Sequence, residues 1–150
     1  MNKTIIGLLT IIWIITIFSF SLEPAEVSRQ KSQRIRVQVN KVIAQNTVIA
    51  HKSPIQLKNV HIRKLAHVME YTVLGVLLTL LFIGAVKQKA AVVLTVGTVV
   101  ACIDESIQHF VPGRGPRFTD VLLDALGVLI GICCVRVYLA MSKKVRWEEG

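Results

Sequence analysis

Asp104-Glu105-Ser106-Ile107-Gln108-His109-Phe110-Val111-Pro112-Gly113-Arg114-Gly115-Pro116-Arg117-Phe118-Thr119-Asp120-Val121-Leu122-Leu123-Asp124 is a polar, breaker-rich stretch that joins the end of one apolar run to the start of the next. The runs extend from Ala90 to about Phe110 and from Val121 to Met141. At ~1.5 Å rise per residue, each is long enough to cross a hydrocarbon core of ~30 Å. Pro112-Gly113 and Gly115-Pro116 stop a helix between them. The stretch therefore reads as the turn of a membrane hairpin, with its carboxylates gathered at one membrane face.

Working outward, two more runs of the same kind appear, Ile5 to Leu22 and Leu65 to Val86, the latter joined to the third run by the polar turn Lys87-Gln88-Lys89. Hydrophobic residues make up 53% of the 150, and the mean hydropathy is +0.58. The expected fold is all-α, an integral membrane four-helix bundle. It forms one domain over residues 1–150, with spans at about 5–22, 65–86, 90–110 and 121–141, too short a chain for a further soluble domain. Ser19-Phe20-Ser21 also has the small-x-small look of a cleavage site, so a removable signal peptide is an open alternative for the first run.

Four crossings put both termini on one side. They bring the start of span two, the end of span three and the start of span four together on the other, whichever way the chain is oriented. His67, Glu70, Asp104, Glu105, Gln108, Asp120 and Asp124 then share one rim. Ionisable groups in or near hydrocarbon cost ~2.5–3.5 kcal/mol each on insertion scales, so such a cluster calls for a use. Spacings of three or four residues set His67 with Glu70, Asp104 with Gln108, and Asp120 with Asp124 on common helix faces. Below the aspartates, Gly127 and Gly131 form a Gly-x-x-x-Gly seam, and Gly97 and Ala101 repeat the pattern on span three; the two seams suggest that spans three and four pack together with converging carboxylates.

Arg114 and Arg117 in the turn suit a phosphate or carboxylate, or else pair with Asp104, Glu105 or Asp120 and lock the hairpin. Clustered carboxylates with an imidazole can serve as acid and base, which makes His67, Glu70, Asp104, Glu105 and Asp120 the candidate acid/base or polar-network residues. Lys64, Tyr71, Gln108, Arg114, Arg117 and Asp124 are the candidate substrate-binding residues. No cofactor is identified. A divalent metal is compatible with the cluster, oxygen ligands favouring Mg²⁺ or Ca²⁺ and the His favouring Zn²⁺ or Mn²⁺, although no His-Glu-x-x-His or Cys-x-x-Cys spacing marks its ligands.

Lys and Arg number 18 against 9 acidic residues. Nine of the basic residues fall between Glu23 and Lys64. There Ile35, Val39, Val42 and Ile43 fit one helix face, while Ile35, Val37 and Val39 also fit a strand. An amphipathic interfacial helix is expected, its basic side (Arg29, Lys31, Arg34, Arg36, Lys41) against anionic headgroups or a phosphorylated substrate; the alternative is a solvated loop. Lys143, Lys144, Arg146 and Trp147 look like a headgroup anchor at the opposite end. Cys102, Cys133 and Cys134 read as small core residues.

Lys64-Leu65-Ala66-His67-Val68-Met69-Glu70-Tyr71, followed by Leu74-Gly75, and Asp104-Glu105-x-x-Gln108-x-Phe110-Val111-Pro112-Gly113-Arg114, followed by Asp120-Val121-Leu122-Leu123-Asp124-x-Leu126-Gly127, resemble the two signatures of the VanZ-like membrane proteins. The resemblance runs from roughly residue 17 to 135. One departure is Ile107, where family members often carry a His; His109 lies nearby. The resemblance implies a bacterial membrane protein associated with resistance to the glycopeptide teicoplanin, by a mechanism the family name does not reveal.

Three readings stand open. The rim acts on or binds a lipid-linked or phosphate-bearing envelope component, with Arg114, Arg117 and Lys64 on the anion; or it is hydrogen-bonding glue in a structural membrane protein; or it is the relay of a small proton-coupled transporter. The scarcity of polar groups deeper in the spans (Thr79, Thr95, Thr98, and Arg136 near an end) counts against the last. Expected partners are membrane lipids, anionic or polyprenyl-phosphate-linked, and not nucleic acid, with an oligomer able to complete the rim. The positive-inside rule puts the motif face in the cytoplasm. The lone Lys3 before an apolar first span, and resistance to a drug acting outside the cell, argue the reverse. The expectation is a multi-pass protein of the bacterial cell membrane with cytoplasmic termini and an external motif face.

Overall fold

The computed structural model describes residues 2–45, 59–83, 89–115 and 117–148, and almost all of these are helical. Among the described residues five helices follow in order: α1 Lys3–Ser21, α2 Ala25–Gln45, α3 Asn59–Phe82, α4 Lys89–His109 and α5 Phe118–Glu148. Four contain segments long and apolar enough to cross a membrane, Lys3–Ser21, Ile62–Phe82, Ala90–His109 and Phe118–Ser142, which makes this a multi-pass membrane protein. Asn2 caps α1 by accepting from the Thr4 N–H at 3.0 Å. Hydroxyls along the spans bond back to the carbonyl four residues earlier, as Thr10 does to Ile6 at 2.8 Å and Thr79 to Gly75 at 2.6 Å, so neither brings an unsatisfied donor into the apolar interior.

Each expected span is present, with shifted ends. α3 begins at Asn59 rather than near Leu65, because Arg63 and Lys64 join the helix as its polar first turns; α5 begins at Phe118. Of the Lys87-Gln88-Lys89 turn, residues 87 and 88 lie outside the described residues, and Lys89 opens α4. The side chains of Lys143, Lys144, Arg146 and Trp147, on the last turns of α5, also lie outside the description, as do residues 46–58.

α3 is the hub: it packs against α1, α2, α4 and α5. α4 bridges α1 and α5, while α2, among the described helices, packs on α3. The core between them is Ile17, Tyr71, Leu74, Leu78, Val93, Val100, Ala101, Val121, Val128 and Ile132. The glycine seam of α5 faces α3 rather than α4. A Cβ on Gly127 would stand 2.6 Å from the Val68 carbonyl oxygen, and one on Gly131 would meet the backbone of Thr72 and Val76. Gly75 reciprocates from α3, its missing Cβ leaving room for the Val128 backbone. Close backbone approach is what small residues permit between membrane helices. Gly97 of α4 does meet α5, but through the Val128 side chain, so spans three and four pack as expected while the tightest backbone seam belongs to α3 and α5.

Two further expectations are corrected. Cys102, Cys133 and Cys134 are exposed on the outward faces of their spans, where lipid replaces a protein core. The segment after α1 is a helix, α2, as expected, but its cations do not share one side. At about 100° per residue, Arg29 and Arg36 fall on one flank of the Ile35/Val39/Val42 stripe and Lys31, Arg34 and Lys41 on the other. Ile35 and Val42 are exposed. An apolar stripe flanked on both sides by long cations suits a helix lying in the membrane interface.

Candidate functional site

The rim is assembled by the end of α1, the first turns of α3, the end of α4, the start of α5 and the α4–α5 turn. Arg114 N–H donates to the Val111 carbonyl at 3.1 Å, and Gly113 has a φ of 77°. Proline at the second position and a positive-φ glycine at the third are what a type II turn requires. A Cβ on Gly113 would come within 3.1 Å of the Ala25 Cβ, so the turn sits directly against the start of α2.

That turn aims Arg114 at the end of α1. Its guanidinium donates from Nη1 to the Ser21 carbonyl at 3.1 Å and from Nη2 to the Phe20 carbonyl at 3.2 Å. Both are last-turn carbonyls of α1, that of Phe20 also accepting from the Glu23 N–H at 3.2 Å, and a forked cation caps the helix end across the two. Burial, and next the Arg63 guanidinium, draw the Arg114 pKa below its ordinary value. Arginine nonetheless remains charged at neutral pH. Among the described residues Arg114 forms no ion pair with a carboxylate. The hairpin is closed instead by Glu105, which accepts a hydrogen bond from the Arg117 backbone N–H. Of the two alternatives for this turn, the Arg–carboxylate lock is absent among the described residues, and backbone contacts on both sides hold the turn instead.

Beneath the turn lies a buried polar layer. Asp104 is 0% and Asp124 1% exposed. Gln108 donates to Asp104 Oδ2 at 3.0 Å and to the Ser21 hydroxyl at 3.2 Å, tying α4 to α1. His67 Nδ1 stands 3.8 Å from Asp124 Oδ1, too far for a hydrogen bond. One potential ligand atom each from His67, Asp104 and Asp124 lies within 4.8 Å of the others. His67 Nδ1, Asp104 Oδ1, Asp124 Oδ1 and the Tyr71 hydroxyl are all buried with no hydrogen-bond partner in the protein. Asp120 sits further out, its Oδ1 3.8 Å from Lys64 Nζ.

Two adjoining clefts open beside this layer. One, of about 310 Å³, runs between α2 and α3 along Phe20, Ile35, Ile62 and Ala66, with His67 and Glu70 in its wall. The other, of about 200 Å³, is walled by Arg29, Arg63, Arg114 and Arg117 and by the backbone of Gly113 and Gly115. Ser32, Arg63 and Arg114 border both.

The structure therefore divides the candidate residues into groups. His67, Asp104, Asp124 and Tyr71 belong to the buried layer, which Gln108 braces. Glu70 faces the apolar cleft, and Arg114 and Arg117 face the basic one. Lys64 does not join those arginines; it pairs with Asp120 on the other side of α3. Glu105 is taken up by the turn. Ser21 and Arg63 also build the rim, and Trp13 supports it from the middle of α1; none of the three was singled out from the sequence as a site residue. Trp13 Nε1 donates to the Glu70 carbonyl at 2.9 Å. The spacing Arg63, His67, Glu70 at i, i+4, i+7 was a legible signal for Arg63. Nothing local marks Ser21 or Trp13, whose roles arise across the bundle.

A family model described as VanZ/LLP1 matches residues 6–139, a range that covers most or all of each crossing helix and both signatures, and is wider than the 17 to 135 of the sequence resemblance. No curated protein and no solved structure matches the chain.

Proposed function

Since the chain belongs to the VanZ/LLP1 family, we propose that it binds a phosphate-bearing lipid of the bacterial cell envelope at the motif rim, with the headgroup in the arginine cleft and the hydrocarbon chain along the apolar one. The observation that carries this reading is the junction of the two clefts. A groove lined by Phe20, Ile35 and Ile62 meets a pocket walled by four arginines, and the two share Arg63 and Arg114. Arg63 and Arg114 repel one another, Asp104, Glu23 and Glu105 offset this for Arg114 only from beyond ion-pair distance, and among the described residues neither arginine forms an ion pair. An anionic guest would relieve that repulsion, and forked guanidinium groups beside glycine backbone suit phosphate.

On this reading the protein resides in the cell membrane with its motif face external, and contributes to teicoplanin resistance by holding a lipid-linked cell-wall intermediate, polyprenyl-phosphate-linked or otherwise anionic. The scaffold alternative rests on the Gln108–Ser21 and Arg114–carbonyl contacts, which join α4 and the turn to α1. The two readings separate in one experiment. Native mass spectrometry of the detergent-solubilised protein with undecaprenyl phosphate, phosphatidate and phosphatidylethanolamine is expected to show retention of the first two over the third. Arg63→Gln with Arg117→Gln should weaken retention at least about tenfold, the equivalent of ~1.4 kcal/mol, with melting temperature unchanged. Equal retention of all three lipids, or no effect of the double variant, returns the rim to a scaffolding role.

A further inference from the structure

The buried layer holds more polar atoms than the protein around it satisfies. Asp104 and Asp124 are both more than nine-tenths buried, and each presents an oxygen with no partner. Among the described residues no cation forms an ion pair with Asp104, and only His67 stands near Asp124. Lys64 lies against Asp120, and Arg114 spends its two terminal nitrogens on α1 carbonyls. Gln108 reaches only Asp104 Oδ2, which fixes the carboxylate and leaves Oδ1 free. His67 offers an unpartnered Nδ1 to the same space, as Tyr71 does its hydroxyl. Leaving several such atoms dry and unpaired carries a penalty on each of them.

From this we infer that His67, Asp104 and Asp124 bind one divalent transition-metal ion, zinc by preference, with the Tyr71 hydroxyl beside it. The donor set of one imidazole nitrogen and two carboxylate oxygens is the mixed type that zinc and manganese accept, whereas magnesium ordinarily keeps several waters. Distances agree. Ligand atoms around four-coordinate zinc stand about 3.3 Å apart at bond lengths near 2.0 Å, and here the three lie within 4.8 Å, so small side-chain rotations close the site. The Gln108 bond to Asp104 is the kind of outer contact that orients a ligating carboxylate. His67 also lines the apolar cleft, which supplies a route for the ion.

This inference stands apart from the lipid reading. The test is metal content of the full chain in detergent, stripped with a chelator, reloaded separately with Zn²⁺, Mn²⁺ or Mg²⁺, desalted and measured by inductively coupled plasma mass spectrometry. About one zinc per chain is expected, with little magnesium retained. Asp124→Asn and His67→Gln should each weaken zinc binding at least about a hundredfold, in the range of a lost direct ligand or its support. Cobalt substitution gives a second readout, because ligand nitrogen and oxygen change its visible spectrum and His67→Cys should add a sulfur charge-transfer band. No zinc retained by the wild type overturns the proposal, and that result depends on no variant folding. Undiminished zinc in both Asp124→Asn and His67→Gln overturns it too. Arg63→Gln with Arg117→Gln should keep its zinc while losing lipid, so failure of the metal site and failure of the lipid reading give different results.

Discussion

Gly127 and Gly113 place different demands on a residue without a side chain. At Gly127 the demand is space: a Cβ would lie 2.6 Å from the Val68 oxygen and 2.9 Å from the Tyr71 Cβ. Alanine gains about 1 kcal/mol of helix propensity over glycine, but forcing atoms into a packed helix contact costs about 1–3 kcal/mol, and here the obstacle is backbone. Gly127→Ala should therefore lower the melting temperature in detergent, and a variant as stable as wild type would refute the tight α3–α5 seam. At Gly113 the demand is conformational, since its φ of 77° costs other residues about 1–2 kcal/mol. Gly113→Ala should also melt early. Gly115→Ala, with open space around it, should be indistinguishable from wild type. The Gly-x-x-x-Gly pattern was legible as a seam, but the helix it serves was not, because α3 and α4 both offer small residues to α5.

Among the elements, α1 is held to the bundle by groups at both its middle and its end. Trp13 donates to the Glu70 carbonyl at 2.9 Å, and Ser21 receives Gln108 through its hydroxyl and Arg114 through its carbonyl. Ile17 joins the common core. A helix so placed belongs to the working fold, and the intact mass of the purified protein should include residues before Ser21; a product beginning just after Ser21 would instead make the segment a signal peptide. Arg114→Lys keeps the charge but loses the fork across two carbonyls. It should destabilise by about 1–3 kcal/mol, the scale of hydrogen bonds from a charged group, readable as a drop in the melting temperature of the detergent-solubilised protein. The apolar spacing of α2 was legible and correctly pointed to a helix. Its cations were expected on one side; at about 100° per residue they fall on two flanks of the apolar stripe.

At the scale of the whole molecule, the motif face is proposed to lie outside the cell. In a chain with Cys102, Cys133 and Cys134 replaced by serine, Gly115→Cys should react with a membrane-impermeant maleimide on intact cells, while Asn2→Cys should react only after permeabilisation; the reverse pattern would put the rim in the cytoplasm. Apolar run lengths alone determined that four helices cross and that His67, Asp104, Asp120 and Asp124 meet at one face, because hydrocarbon leaves the backbone no other satisfied conformation and alternating crossings fix which ends coincide. The resemblance over residues 17 to 135 pointed to the same family that the match over residues 6–139 establishes. Only the tertiary structure decided which of these groups share an environment. His67 comes to Asp124, Lys64 to Asp120, and Arg114 to the carbonyls of α1. Spacing along one helix sets the face a residue occupies, but the partner it meets depends on how far neighbouring helices approach and rotate. Here that is governed by glycines on α3 and α5 and by a positive-φ turn between α4 and α5.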